Sequence, residues 1–470
     1  MEGDGASPKD SLVGTVRTAL APLPARILFT GGVRRKTEAE VIRAPLFVPL
    51  LAGVVLPALV PRVAAEQPPA ALRLTRLQAI DLACAANPAL AAAREQVEQA
   101  RARVSEATAL PDPTFEATLE QQQGFLSPGT AASKDLGLGF TLPFPTKIKL
   151  AGDVARLDLH ATELSVQQLR QEIAAQASQA YDALLVALRR REDLTQAKAL
   201  AQDFLTKTEA RERAGTVAHI DVIKARVDLA QTENDLIANE RALATSRAAL
   251  NRVLGRAPGV PVEATDALDV PPPLPDLETL VHAAASARPE VQIVSEQQRG
   301  AHVATRLAKQ FWFPDLALTL SRNYTAGFPA AYSTVFSATL PLFFWQHRKG
   351  QVAEAEHREW ELQATERDVR AQVELDVRTA YATADTAQRQ ALYLRDELLP
   401  EAQEAYRIAS TSYGLGGSSA LDLLDAKRTL LDAQDQLAQA LGAANDARAD
   451  LERAVAGELP PGTTGGAHAP

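Results

Sequence analysis

The sequence predicts a mainly α-helical protein with a small β part, built from two copies of a helix–strand–strand–helix–helix unit. Three observations predict this class. Aromatic residues make up only 5% of the 470 residues, and Ala, Leu, Glu, Gln and Arg dominate, a composition typical of long helices. Short segments alternate strictly between polar and apolar residues, as half-buried strands do. Signals of the first half also recur in the second, as Asn87-Pro88 and Arg288-Pro289 do 201 positions apart (87 to 288).

The N-terminal region predicts an export signal. A basic segment, Arg34-Arg35-Lys36, precedes the uncharged run 44–61 and the small residues Ala64-Ala65. This order is typical of a secretory signal peptide and places cleavage after Ala65. A transmembrane anchor is the alternative, but two prolines interrupt the apolar run. We therefore expect residues 1–65 to be a signal peptide with an N-terminal over-extension.

After a first helical segment, 74–109, two short segments predict a pair of β-strands. Residues 114–120 and 135–142 alternate between polar and apolar side chains, which places each kind on one face. Prolines flank the pair at Leu110-Pro111-Asp112 and Pro143-Phe144-Pro145, where a helix cannot continue. The pair therefore interrupts an otherwise helical sequence.

The second half repeats this arrangement. Phe313-Pro314-Asp315 echoes Leu110-Pro111-Asp112, and Thr339-Leu340-Pro341 repeats Thr141-Leu142-Pro143. Four strands of about ten residues with one apolar face have the size of membrane-spanning strands, although a β-layer packed on helices is the soluble alternative. Four strands cannot close a barrel, so subunits would share them: two subunits give eight strands, and three give twelve with room for a lumen. The positions expected to face a wet interior are Thr114, Glu116, Thr118, Glu120, Thr141, Thr319 and Ser321.

Long helices follow both strand pairs. Residues 149–213 contain no proline and, beyond Gly152, no glycine, which predicts one helix about 97 Å long. Its counterpart, 350–413, is interrupted only by Pro400. Each helix ends at a glycine turn, formed by Gly215 in the first copy and by Gly414, Gly416 and Gly417 in the second. A shorter helix then returns with apolar residues seven apart: Val222, Leu229, Leu236, Leu243 and Leu250, and Leu423, Leu430, Leu437, Ala444 and Leu451.

Helix lengths predict how these segments are arranged. The helix before each strand pair and the returning helix together match the long helix, so we expect them stacked end to end beside it. The proline-rich linker would then lie midway along the rod. The expected parts are a signal peptide (1–65), a first repeat (66–254), the linker (255–275), a second repeat (276–458) and a disordered tail (459–470).

Charge and motif content exclude several classes of function. The net charge of −9 argues against nucleic-acid binding. A single cysteine rules out a disulfide within the chain. The sequence has no nucleophile–base pair and no metal-ligand spacing, so we expect neither an enzyme, a cofactor nor a metal site.

Over residues 72–458 the sequence resembles the outer-membrane factor family, the TolC-type efflux channels. The features that carry the resemblance are the internal repeat, the proline-bounded strand pairs and the turn segment 413–426. The resemblance implies a homotrimer with a twelve-stranded barrel in outer-membrane lipid and a helical tunnel across the periplasm. Such a channel is a passive exit duct, joined through a periplasmic adaptor to an RND-type inner-membrane pump, for metal ions or small toxic compounds. The stretches 87–90 and 143–147 look most like the heavy-metal branch of the family.

A different class of protein has the same heptads. A soluble periplasmic coiled-coil scaffold or adaptor is the alternative hypothesis, because long heptad helices are also typical of such proteins. It would leave the repeated strand pairs and their prolines without a role.

The resemblance also implies residues of a periplasmic gate. Asp422 and Asp425 match acidic residues that ring the closed mouth, where three copies of each would attract cations. Tyr413 and Asp221 match a hydrogen-bonded pair that ties the mouth shut. Ser418 stands where the family pattern has an arginine, so a weaker closure is expected. For Asp422, stabilisation of a helix N-terminus is an equally good interpretation.

Overall fold

A computed structural model describes residues 72–121, 128–340 and 342–459. The predicted signal peptide, and the predicted tail beyond Leu459, lie outside the described residues. The elements described here therefore belong to the two repeats and the linker between them.

The first repeat folds in the predicted order. It contains β1 (Leu72–Leu74), α1 (Arg76–Ala86), α2 (Pro88–Thr108), β2 (Thr114–Glu120), β3 (Ser133–Leu142), α3 (Pro145–Arg213) and α4 (His219–Val253). The helical segment expected from Leu74 begins two residues later, because Leu74 belongs to a short strand. Asn87 separates α1 from α2, and its side chain accepts a hydrogen bond from the backbone N–H of Ala89 at 2.8 Å.

The second repeat follows the same order after a short strand in the linker. It contains β4 (Val262–Ala264), α5 (Leu277–Ala287), α6 (Pro289–Lys309), β5 (Leu316–Thr325), β6 (Ala331–Ala338), α7 (Phe344–Tyr393), α8 (Leu399–Leu415) and α9 (Ala420–Val455). A π-helical turn, Leu394–Leu398, joins α7 to α8 directly before Pro400. Proline lacks the N–H that would continue the α-helical pattern, which explains the interruption there.

The long helices confirm the predicted stacking. At 69 residues, α3 is about 100 Å long and starts at Pro145, where a first-turn proline is tolerated. It packs against both α2 and α4, and also against α6 and α9. The α7/α8 rod packs in turn against α6 and α9. Two composite rods, α2/α4 and α6/α9, therefore lie beside two long ones, with α2/α4 and α7/α8 at the two ends of the row.

The linker anchors the middle of α3. Strands β1 and β4 pair in parallel, with Leu72 opposite Val262. The buried Tyr181 hydroxyl donates to the Leu74 carbonyl at 2.9 Å and accepts from the Thr265 N–H at 3.1 Å. The midpoint of the long helix is thus fixed to both the start of the first repeat and the linker.

A buried acid lies beside this joint. Asp182 is fully buried and pairs with Arg76, which also donates to Asn445 Oδ1 at 3.0 Å. These contacts connect α1, α3 and α9. Burial raises the pKa of Asp182 to about 7, although the guanidinium of Arg76 acts in the opposite direction. Burial likewise raises the pKa of the neighbouring Asp446 to about 6.

The raised pKa of Asp182 predicts a pH-dependent stability. The folded-state pKa of about 7 exceeds the unfolded value of about 4. The protonated Asp182 therefore contributes fully to the free energy of unfolding below about pH 4, and this contribution is lost as the pH rises through 7. Asp182→Asn should remove this contribution. Between pH 4 and 7, Asp182 should lower the unfolding free energy of the wild type by up to about 1.4 kcal/mol per pH unit. The variant should lack this decrease. Unfolding of the detergent-solubilised protein across this pH range measures the effect.

A matched control lies on the same helix. Asp158 is exposed and pairs with Arg103 at 3.4 Å, so Asp158→Asn should keep the wild-type slope. Equal slopes for wild type and Asp182→Asn would contradict the prediction.

Candidate functional site

The four longer strands form one antiparallel sheet in the order β2–β3–β5–β6. Strand β3 joins the two repeats through ten residue pairs with β5, from Ser133–Thr325 to Leu142–Leu316. The register places Leu138 opposite both Phe115 and Leu320. The predicted separation into two faces is confirmed. The apolar face carries Phe115, Leu119, Leu136, Leu138, Phe140, Leu142, Leu316, Leu318, Leu320, Tyr332 and Phe336. Two basic residues, Lys134 and Arg322, share this face near the end where β5 turns into β6.

The apolar face is exposed in the single chain. Phe115 is 69% exposed and Phe336 is 80% exposed. Apart from Val335 on β6, the opposite face has small and polar side chains, and a Cβ at Gly139 would come within 2.5 Å of Thr114 Oγ1. An apolar surface of this extent predicts contact with an apolar phase or a partner. The sheet therefore has one side suited to hydrocarbon and one suited to water.

The two proline segments meet where the sheet passes into the helices. Phe144 stacks on Phe313, with ring centroids 4.5 Å apart. Asp315 Oδ1 accepts from the Phe144 N–H at 3.2 Å and pairs with Lys147 Nζ at 2.9 Å. The strand–helix junction of the first repeat is thus fixed by the start of β5 in the second. Both copies therefore contribute to one junction.

In the described part of the chain, no helix is both long enough and apolar enough to cross a membrane. Within those same ranges, no group of three or more His, Cys, Asp or Glu residues is placed to hold a metal ion.

Both predicted glycine turns lie at the far end of the long helices. Gly215 and Gly416 adopt left-handed backbone conformations, with φ of 73° and 83°. In each turn the following residue donates back to a carbonyl five positions earlier, Thr216 to Arg211 and Gly417 to Ser412. Gly414 instead lies within the last turn of α8. The buried cluster of Phe204, Ala225, Tyr413, Ala420 and Leu423 brings the two turns together at one tip.

Asp422 caps helix α9. Its carboxylate accepts hydrogen bonds from the Ser419 N–H and hydroxyl, both at 2.9 Å, and its own N–H donates to Ser419 Oγ at 3.2 Å. These hydrogen bonds lower the pKa of the Asp422 carboxyl. The helix-terminus interpretation is therefore confirmed for this residue. Asp425 is exposed one turn further along, and the ring formed by both acids remains a prediction.

The expected hydrogen bond between Tyr413 and Asp221 is wrong for this chain. Tyr413 is 1% exposed, and its hydroxyl lies 2.9 Å from Thr208 Oγ1 on α3. Asp221, in the first turn of α4, pairs with Lys224 at 3.3 Å. The reason is packing. The ring of Tyr413 lies in the apolar cluster of the tip, at 5.4 Å edge-on to Phe204, so its hydroxyl points into the α3–α8 interface.

Sequence reasoning missed two residues of this contact. The Thr208 hydroxyl donates to the Phe204 carbonyl at 2.7 Å, which leaves its oxygen free to accept from Tyr413. The guanidinium of Arg211 lies 4.7 Å from the centroid of the Tyr413 ring and donates to the Tyr413 carbonyl. A polar residue at a buried position of α3 was the only available signal for Thr208. An arginine on α3 thus contacts the tip of the second repeat, where Ser418 had suggested that such a link was missing.

The Tyr413 contact predicts a measurable coupling energy. Tyr413→Phe and Thr208→Val should each destabilise the folded protein by about 1 kcal/mol, because each removes one end of a buried hydrogen bond. The double variant should lose less than the sum of the two. Denaturant unfolding of all four proteins gives the coupling. Fully additive effects would contradict the bond, and Asp221→Asn combined with Tyr413→Phe is the additive control.

An amphipathic sheet that continues into paired helical hairpins defines the class of outer-membrane ducts built from shared strands. The chain belongs to the outer membrane efflux protein family, which it matches over residues 79–256 and 280–457. The resemblance expected from the sequence is confirmed. The protein is therefore an outer-membrane efflux channel with a large periplasmic portion, and this family consists of passive channels rather than enzymes. The soluble scaffold is not favoured.

Individual relatives match most of the chain. It is 24% identical over 388 residues to the cobalt-zinc-cadmium resistance protein CzcC of Cupriavidus metallidurans, covering 81% of this chain and 89% of that protein. It is 24% identical over 376 residues to the pyoverdine export outer membrane protein OpmQ of Pseudomonas putida, covering 75% and 78%. The fold matches a crystal structure of CusC with a TM-score of 0.69 at 20% identity, covering 81% of this chain and 92% of that one.

Proposed function

We propose that this channel is a homotrimeric exit duct of a tripartite efflux system. The observation that carries the proposal is the open sheet with one apolar face. Among the described residues, strands β2 and β6 each have one edge without a paired strand. Hydrocarbon offers no partner for such edges, so the strands must pair with those of other copies. Three copies give twelve strands and a lumen lined by the polar face, whereas two would give a filled interior.

The helical layer supports the same assembly. Its two end rods, α2/α4 and α7/α8, each have a lateral side that no other rod covers among the described residues. Both carry exposed apolar residues: Ile220 and Ile237 on α4, and Trp360, Leu375, Tyr393 and Ile408 on α7 and α8. In a closed ring these stripes of neighbouring copies would pack together, as heptad-spaced faces do.

The partners and the cargo follow from the family and from the charges of the chain. Family members work with a periplasmic adaptor and an inner-membrane pump, so we propose an RND-type pump as the source of cargo. The cargo would be metal ions or small toxic compounds. The relative CzcC and the carboxylates Glu116, Glu120 and Asp135 on the polar face of the sheet favour cations.

The tip would form the periplasmic gate. Asp422 and Asp425 would ring the mouth, while Tyr413, Asp221 and the glycine turns would shape it. The buried cluster that contains Tyr413 draws its residues from α3, α4, α8 and α9, the helices that both turns connect, which supports a shared role. In three copies, each acidic ring would contain three carboxylates at close range.

Reconstitution of the full-length protein tests the duct. The protein should fractionate with the outer membrane, cross-link to trimers, and give discrete single-channel currents in planar bilayers. Recovery of the mature protein from the soluble periplasm would contradict this function, and so would cross-linking that stops at dimers.

The gate predicts an effect of acidic residues on cation block. Asp422→Asn combined with Asp425→Asn should weaken channel block by multivalent cations, because each ring loses three charges. Folding should change little, since an asparagine at 422 can still accept from Ser419. Single-channel titration with a trivalent cation measures the block. Asp432→Asn, further along α9, is the control for charge loss. If the double variant is blocked as readily as the wild type, neither acid lies at the mouth.

A further inference from the structure

A buried cation on α9 has no part in the gate described above. Among the residues that the structure describes, Lys427 is the only buried lysine, with 3% of its surface exposed. It lies seven residues beyond the start of α9, about 10 Å from the turn along the helix axis. Lysine is almost never fully buried without a partner, so its surroundings must compensate the charge.

The partner of Lys427 belongs to the other repeat. Its Nζ lies 2.7 Å from Asp228 Oδ2 and 3.5 Å from Thr232 Oγ1, one turn apart on α4. The Thr232 hydroxyl donates to the Asp228 carbonyl at 2.9 Å, so its oxygen can accept from the ammonium group. Lys427 thus connects α9 directly to α4, although α4 packs mainly on α3, and α9 packs on both α3 and the α7/α8 rod.

The connection lies in a cleft between the two hairpins, α3/α4 and α8/α9. The cleft has a volume of about 660 Å³ and is lined by apolar residues of α4 and α9, including Ile223, Val227 and Leu431. Other ion pairs of this region are more exposed. Lys198 pairs with Glu233 at 2.9 Å inside the first hairpin, with both side chains about four-tenths exposed. The Lys427–Asp228 pair is different because its lysine is buried, its aspartate is only about one-fifth exposed, and it joins one hairpin to the other.

We propose that Lys427 and Asp228 are positioning residues that hold the two hairpins of one subunit together and thereby set the aperture of the periplasmic mouth. This proposal rests on the proposed function of the protein as a duct. Moving one hairpin away from the other would strip a buried charge from its partner, which is strongly unfavourable. Because Ser418 occupies the position of the arginine in the family pattern, the ionic tie in this chain lies about two helical turns inside the tip.

Single-channel recording of the full-length protein tests the tie. Lys427→Met keeps the side-chain length but removes the charge, and it should raise the open fraction on the order of tenfold. Asp228→Asn should act in the same direction. The exchange of Asp228→Lys with Lys427→Asp should bring the open fraction back toward the wild-type value. A merely structural pair would lower stability without this change in gating and without rescue.

Matched controls separate the outcomes. Lys198→Met removes a lysine that pairs within one hairpin, so its open fraction should equal that of the wild type. An unchanged open fraction in both Lys427→Met and Asp228→Asn would overturn the proposal. If Lys427→Met fails to assemble on native gels, Asp228→Asn alone decides. A wild-type protein that conducts no current would instead refute the duct itself.

Discussion

An unpaired strand edge has no hydrogen-bonding partner in hydrocarbon, and the architecture of this protein depends on that constraint. Four strands are too few to close on themselves, so the chain brings its two strand pairs together through β3 and β5. The ten residue pairs between them keep every large apolar side chain of β3 and β5 on one face. A one-residue slip would place the leucines of β5 among the carboxylates and glycines of the other face. The duplication therefore supplies the two strand pairs of the sheet, and the order of the helices follows from the order of the strands that they connect.

The helical region solves a different problem, that of holding rods about 100 Å long in register. Heptad stripes alone allow sliding, because each apolar residue resembles the next one along the seam. Directional contacts at the midpoint remove this freedom. Tyr181 binds the first strand and the linker, while Arg76 joins α1 to α3 and α9. Burial of Asp182 makes the joint sensitive to protonation.

Much of this fold could be predicted from the sequence, because periodicity reports which face of an element is buried. The end of α3 at Arg213, the alternation of β2 and both glycine turns followed from local patterns. Periodicity does not report which neighbour covers that face. The family resemblance therefore predicts a bond between Tyr413 and Asp221, whereas packing against Phe204 directs the Tyr413 hydroxyl to Thr208. The burial of Lys427 cannot be predicted for the same reason, because its partner Asp228 lies 199 positions earlier in the chain.

The π-helical turn at Leu394–Leu398 has a geometric consequence for the second long rod. A turn that closes five residues apart adds one residue to the helix, which rotates everything after it by about 100°. Without that rotation the apolar seam of α8 would drift away from the seam of α7. Both segments instead pack on α9. The turn thus acts as a phase correction at the only proline of the rod, whereas α3 runs from Pro145 to Arg213 without such a turn.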